Sequence, residues 1–205
     1  MEVLQGIMVG KHSLRIDFGK ILNEWIECTK KYVDYWEGDD LPYWYNERAN
    51  VSVLAGAAWR AGFIALEEYQ IVKESSEKEY KIGRNDLFLS DRENDIYIEA
   101  KVLFPEIGSL NIFEQNGVVK EKHNQAVSDA NEIKDESKLV GALFIAPYLN
   151  DNLNSDNRIC SFIAEIEKYD APIKAWCFSK EWQKATSHND RHYPGVALLL
   201  DMPKD

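Results

Sequence analysis

The sequence predicts an α/β domain, a mixed β-sheet flanked by helices, and three observations carry that prediction. Up to about residue 62 the apolar side chains recur at helical spacing, and beyond it they recur every second residue. A short polar link, Asp91-Arg92-Glu93-Asn94, joins two alternating runs in the way a β-hairpin needs. Residues 139–149 (LVGALFIAPYL) form an almost continuous apolar run, the pattern of a strand buried on both faces.

Each element has its own signature. Phe18, Ile21, Leu22, Trp25, Ile26, Tyr32, Val33 and Trp36 fall on one stripe, which predicts an amphipathic helix over about 14–36. Glu37-Gly38-Asp39-Asp40 breaks it, and Leu41-Pro42 starts an aromatic loop, Tyr43-Trp44-Tyr45. Residues 46–61 are rich in alanine, with Val51, Leu54 and Trp59 on a face to be buried, and Gly62 stands where a helix stops. Strands follow over 63–73, 80–90 and 95–104, where β-branched and aromatic residues alternate with polar ones. Pro105 and Gly108 close that section. A long polar helix at about 112–136 leads into the apolar strand, residues 160–168 predict another helix, and 173–178 and 195–201 two last strands. The order α-α-β-β-β-α-β-α-β-β is that of a mixed sheet between helices.

Composition narrows the class. Of the 205 residues 45% are hydrophobic and 12% aromatic, enough for a core without staples and too much for a disordered chain. No apolar run approaches the roughly 20 residues of a membrane-spanning helix. The N-terminal residues lack the basic-then-apolar pattern of a signal peptide. Cys28, Cys160 and Cys177 are far apart and odd in number, with no CxxC pair, which suits a reduced, cytoplasmic chain. The formal charge is −11, from 24 Lys+Arg against 35 Asp+Glu, and the excess of acid holds over 1–46 (5 against 8), 47–108 (8 against 12) and 109–205 (11 against 15). A coat protein that grips nucleic acid through a basic arm is excluded.

Asp86, Glu99 and Lys101 are the residues that point to chemistry. Asp86 lies on one arm of the hairpin and Glu99 on the other, 13 positions later, while Glu99 and Lys101 are two apart on one strand and share a face. Two carboxylates on adjacent strands offer hard oxygen ligands to Mg²⁺. A metal there can bind a phosphate oxygen and acidify water, which the lysine orients or deprotonates. A Glu or Asp two residues before a Lys also occurs at Glu79-Lys81, Glu132-Lys134 and Glu136-Lys138. Glu99-Ala100-Lys101 differs in its apolar flanks, Ile96, Ile98, Val102 and Phe104, because charges in a buried strand are costly unless they are paired or functional.

Gly83-Arg84-Asn85-Asp86 followed by Glu99-Ala100-Lys101 resembles the core motif of the PD-(D/E)xK nuclease superfamily, the restriction-endonuclease-like fold, with Asn85 in place of the proline. The resemblance covers roughly 44–150. It implies one nuclease-like domain over 1–205: an extra N-terminal helix in 1–43, the core motif region in 44–150, and completion of the sheet in 151–205. It also implies a metal-dependent nuclease using Mg²⁺, with Mn²⁺ as a substitute, and DNA as the nucleic-acid partner. Asp86, Glu99 and the Ala100 carbonyl would hold metal and Lys101 would position the attacking water. Glu47, on the helix before the first core strand, would bind a second metal or its water, and Gln125, on the helix after the motif, would touch the phosphate or the nucleophile. The acidic balance points to a homodimer or a partner subunit that completes the groove. The alternatives are a catalytically silent nuclease-fold subunit acting in binding or assembly, and an α/β protein whose triplet is a solvated Glu–Lys stripe.

Other candidates have plainer readings. His188 and His192 stand four apart in a segment crowded with Asn, Asp, Pro and Gly, where a surface loop is expected. His123 is expected as a solvated helix histidine, Glu67 and Glu68 as supports of the site or as solvent-facing acids, and Arg84 as an ion-pair or phosphate contact. Tyr43, Trp44 and Tyr45 are expected between packed helices, with base stacking as the alternative. The three cysteines are expected as small buried hydrophobes.

Overall fold

The computed structural model describes residues 3–11, 14–74, 79–109, 112–114, 117–135, 137–150, 155–179, 181–182 and 190–203. Its elements are β1 (Val3–Val9), α1 (Phe18–Tyr35), α2 (Glu47–Ala61), β2 (Ile64–Glu74), β3 (Tyr80–Ser90), β4 (Asp95–Leu103), α3 (Val118–Asn131), β5 (Lys138–Ile145), α4 (Ser155–Lys168), β6 (Ile173–Ser179) and β7 (Gly195–Asp201). The protein is an α/β protein with a seven-stranded mixed sheet in the order β1-β6-β7-β5-β4-β3-β2. β4 and β5 are parallel, joined through α3, and the remaining neighbours are antiparallel.

The sheet separates two apolar layers. On one face α1 and α2 bury Phe18, Leu22, Trp25, Leu54 and Ala58 against Leu87, Ile98, Ala142, Phe144 and Leu198. On the other, α4 buries Ile159, Phe162 and Ile166 against Leu143, Ile145, Trp176 and Leu199. β5 and β7 feed both layers, which is why their sequences carry no polar alternation. Among the described residues no helix is long and apolar enough to cross a membrane.

Local chemistry sets the boundaries. The Asp17 side chain caps α1 through the Lys20 N–H at 3.1 Å, and Asn46 caps α2 through the Ala49 N–H at 3.0 Å. Gly62 ends α2 at φ +88°, in the left-handed region. The Asp91 carboxylate accepts the backbone N–H groups of Glu93 and Asn94 and closes the β3–β4 turn.

Five expectations need correction, the first being burial of Trp59, which is 55% exposed on α2. The segment 1–43 is more than a helical extension, since it adds β1 as an edge strand on β6. α3 covers 118–131 and not 112–136. Phe113 leaves the helix to stack on Phe162 and Tyr169, and past Asn131 the chain turns to bond the end of β2, Glu74 N–H to Glu132 and Lys134 N–H to Val72. β5 ends at Ile145, because Pro147 cannot continue the ladder. α4 begins at Ser155, five residues before the expected start.

Candidate active site

The β3–β4 hairpin carries Asp86, Glu99 and Lys101, and its ladder stops just short of them. Pairing runs from Ser90↔Asp95 to Leu87↔Ile98 and ends; one more step in this register would set Asp86 opposite Glu99. Asp86 Oδ2 instead accepts the Ala100 N–H at 2.7 Å, so a carboxylate takes the place of the lost strand carbonyl. On the other flank the β2–β3 ladder joins Glu67↔Leu87 and Tyr69↔Asn85 but skips Glu68 and Asp86. Glu68 stands at φ +56°, a conformation uncommon outside glycine. The sheet is therefore open around Asp86, at the place where its charged side chains gather.

α3 is pressed onto this region by Gly141. Gly141 is the β5 partner of Glu99, and a Cβ at Gly141 would overlap the backbone of Val127. This close approach brings Asp129 of α3 to the Lys101 ammonium, Oδ2 to Nζ 2.7 Å. Lys101 Nζ also donates to the Ala100 carbonyl at 3.0 Å. Gln125, one turn earlier on α3, is exposed, and its Oε1 accepts from Lys122 at 2.9 Å.

Glu99 is buried, with 4% of its surface exposed. Its Oε2 is paired with Lys73 Nζ at 2.7 Å, and its Oε1 is buried with no hydrogen-bond partner. Burial pushes the Glu99 carboxyl up to about 7; Lys73 opposes the rise and the charge of Asp86 adds to it. Asp86 is also raised by burial, against the pull of the Ala100 N–H. Glu47, half-buried in the first turn of α2, is raised by burial while Lys101 draws it down, and it feels Asp86, Asp129 and Glu68 as well. Burial works against the Lys101 ammonium, but its ion pair with Asp129 outweighs burial and leaves the pKa above the ordinary lysine value.

The structure thus brings Glu47, Asp86, Glu99 and Lys101 into one electrostatic neighbourhood and sets Gln125 on the helix beside it. Among the described residues no group of three or more His, Cys, Asp or Glu side chains is placed to hold a metal ion; Asp86 and Glu99 are turned toward an N–H and an ammonium. The donor set nonetheless fits a hard divalent cation. It consists of carboxylates and a carbonyl, and the orphaned Oε1 of Glu99 is a buried acceptor in want of a positive partner.

Two participants were absent from the sequence reading. Lys73 sits at the end of a strand, 26 residues from Glu99, and no spacing rule joins them. Asp129 is one acid among several on a polar helix; its position four residues after Gln125, one turn away on the same face, is the signal that could have found it. Two of the competing Glu–Lys triplets are engaged in ion pairs, Lys81 with Glu132 at 2.9 Å and Lys134 with Glu74, and Glu136 of the third lies outside the described residues. Glu68 accepts from Arg84 at 2.7 Å and forms an ion pair with Arg48 at 3.0 Å, and Glu67 accepts from Ser52 at 2.7 Å, so Arg84 holds Glu68 and not Asp86.

The remaining expectations divide. His123 is buried, not solvated; its Nδ1 lies 3.2 Å from the Tyr169 hydroxyl, and burial lowers its pKa to about 4. Tyr43 is core and donates to the Tyr193 carbonyl at 3.1 Å, whereas Tyr45 is exposed and donates to Asp40 at 2.7 Å. Cys177 is buried, Cys28 half-buried and Cys160 exposed, so burial of all three does not hold. His188 lies outside the described residues. No known protein family, no curated protein and no solved structure matches the chain.

Proposed function

We propose that the protein is a metal-dependent nuclease of restriction-endonuclease-like fold that hydrolyses phosphodiester bonds, with DNA as its substrate. One observation carries the reading. The β3–β4 ladder breaks where Asp86, Glu99 and Lys101 stand, and there a buried oxygen of Glu99 has no hydrogen-bond partner, nor has the buried amide of Asn85 next to Asp86. Natural structures leave such groups seldom, and most often where they do work.

Asp86, Glu99 and the Ala100 carbonyl would hold Mg²⁺ or Mn²⁺, with Glu47 beside them. A divalent ion bound there supplies Lewis-acid charge and acidifies water. Lys101, kept protonated by Asp129, lies beside the Ala100 carbonyl, where its ammonium can orient an incoming water and offset negative charge on a phosphoryl oxygen. A raised lysine is a poor base, so Lys101 orients and does not deprotonate. Gln125, exposed on α3, offers an amide to the phosphate. With a chain charge of −11, a second copy or a partner subunit would supply further phosphate contacts.

The second reading is a silent nuclease-fold subunit that binds or assembles without cutting. The observation in its favour is that Lys73 already occupies Glu99. Cleavage of labelled duplex DNA, single-stranded DNA and RNA in Mg²⁺ or Mn²⁺, stopped by EDTA, separates the two. Asp86→Ala, Glu99→Ala and Lys101→Ala should each lower cleavage by about 100-fold or more, with double variants little worse, because the three act as a unit. Glu132→Ala, in a competing triplet, should cut like wild type. Undiminished cleavage by Lys101→Ala would sink the mechanism.

A further inference from the structure

Lys73 is a buried charged group in this neighbourhood to which the proposed mechanism gives no task, and its route to Glu99 is built into the sheet. The two residues are on β2 and β4, with β3 between them. The Lys73 stem crosses β3 at Gly83, where an added Cβ would lie 2.8 Å from Lys73 Cδ and 3.2 Å from its Cγ. Any side chain at 83 would obstruct that path. The Lys73 backbone is held from outside as well, by a bridge to Ile133 and by the bonds joining Val72 and Glu74 to Lys134 and Glu132. A lysine 8% exposed, seated over a glycine and ending 2.7 Å from a buried carboxylate is a placed residue.

We propose that Lys73 is a tethered counter-ion, a positioning residue that holds the Glu99 carboxylate in the metal-free protein and competes with the divalent ion for it. The inference rests on the reading of Asp86 and Glu99 as metal ligands. An ammonium satisfies one carboxylate oxygen and leaves the other orphaned, whereas a divalent ion can meet both. Before the ion binds, Lys73 keeps Glu99 from being an uncompensated buried charge. Once the ion binds, Lys73 and the ion are like charges sharing one carboxylate, so the lysine weakens metal affinity. The chain thereby accepts weaker metal binding in return for a site that stays folded and correctly aimed when empty.

The test measures Mn²⁺ binding by calorimetry at pH 8, and melting in EDTA, for the wild type, Lys73→Met and Gly83→Ala. Lys73→Met should bind Mn²⁺ about ten-fold more tightly, the minimum expected when a like charge a few ångströms away is removed from a half-buried site. It should also melt lower than wild type in EDTA, with the deficit shrinking or reversing in saturating Mn²⁺. Gly83→Ala displaces the stem without removing the charge and should shift affinity in the same direction by less, which keeps the test open if Lys73→Met folds poorly. Equal or weaker Mn²⁺ binding by both variants, with wild type binding normally, overturns the role of Lys73 and leaves the metal site standing. No Mn²⁺ binding by any of the three removes the metal reading and, with it, the competition.

Discussion

Two buried lysines, near opposite edges of the sheet, show how differently its halves are built. Lys174 on β6 is 5% exposed and Lys73 on β2 is 8% exposed. Lys174 donates to the carbonyls of Glu167 and Tyr169, both at 2.6 Å. These groups end α4 and have no partner within the helix, so Lys174 is a cap delivered from a neighbouring strand. Every residue of β6 is buried, Ser179 included. Lys73 meets a carboxylate that keeps an orphaned oxygen, beside a ladder that has come apart. Burial alone therefore does not distinguish structure from function. What separates the two lysines is the partner each meets: carbonyls for Lys174, and for Lys73 a carboxylate with one unsatisfied oxygen.

The comparison can be sharpened first through pH, where the largest effect is expected. The Glu99 carboxyl moves from an ordinary 4.5 to about 7 on folding, so between those values the folded chain holds a proton that the unfolded chain has released. Raising the pH withdraws that proton, and stability that is complete below about pH 4.5 is lost as the pH passes 7. At ~1.4 kcal/mol per pH unit the loss from this group is about 3 kcal/mol. Asp86 and Glu47 are shifted in the same direction and add to the slope. Urea unfolding in EDTA at several pH values should show a slope flatter by about one proton in Glu99→Gln, because that side chain cannot titrate. Lys174→Met should keep the wild-type slope. Equal slopes in wild type and Glu99→Gln would mean that the two halves do not differ in the way described.

The next effect belongs to Lys174. Lys174→Met removes two charge-assisted hydrogen bonds from the end of α4 and should cost about 2 kcal/mol, a magnitude typical of bonds to a charged donor. That cost should be the same in EDTA and in Mn²⁺, and cleavage per folded molecule should be unchanged. A deficit at Lys174 that metal repairs would blur the contrast with Lys73.

Much of this was legible in the sequence because it is local. The Asp91–Asn94 turn, the Gly62 stop, the stripe of α1 and the apolar run of β5 are each written within one short window, and so is the trio Asp86, Glu99 and Lys101. What was not legible depends on residues far apart along the chain. β1 hides because Gly6 interrupts its pattern, and that glycine makes sense only beside Trp176, its partner on β6, whose ring an added Cβ would strike. The insertion of β7 between β5 and β6, the reach of Lys73 across Gly83 and the pressing of α3 onto Gly141 are likewise packing facts. Asn85, where the resembling family has proline, is fully buried with neither amide atom bonded, and nothing in its neighbours along the chain announces that.

The smallest expected effect is also the sharpest, because it changes sign. Burial disfavours the charge of Asp86, and Glu47 and Glu99 lie in the same neighbourhood. Asp86 accepts the Ala100 N–H on Oδ2, and an asparagine amide oxygen can keep that bond, without its charge assistance. Asp86→Asn should therefore stabilise the metal-free protein by about 1 kcal/mol, the scale of one relieved close repulsion. Mn²⁺ at a hundred times its dissociation constant should stabilise the wild type by about 2.7 kcal/mol through mass action alone. Asp86→Asn has lost a charged ligand and should gain little from the same titration. The order of melting temperatures should thus invert between EDTA and metal. A surface carboxylate cannot produce that inversion, and neither can a purely structural residue elsewhere in the sheet. If Asp86→Asn melts below wild type in EDTA and both respond equally to Mn²⁺, Asp86 serves to hold Ala100 in the broken ladder, and the metal site loses its first ligand.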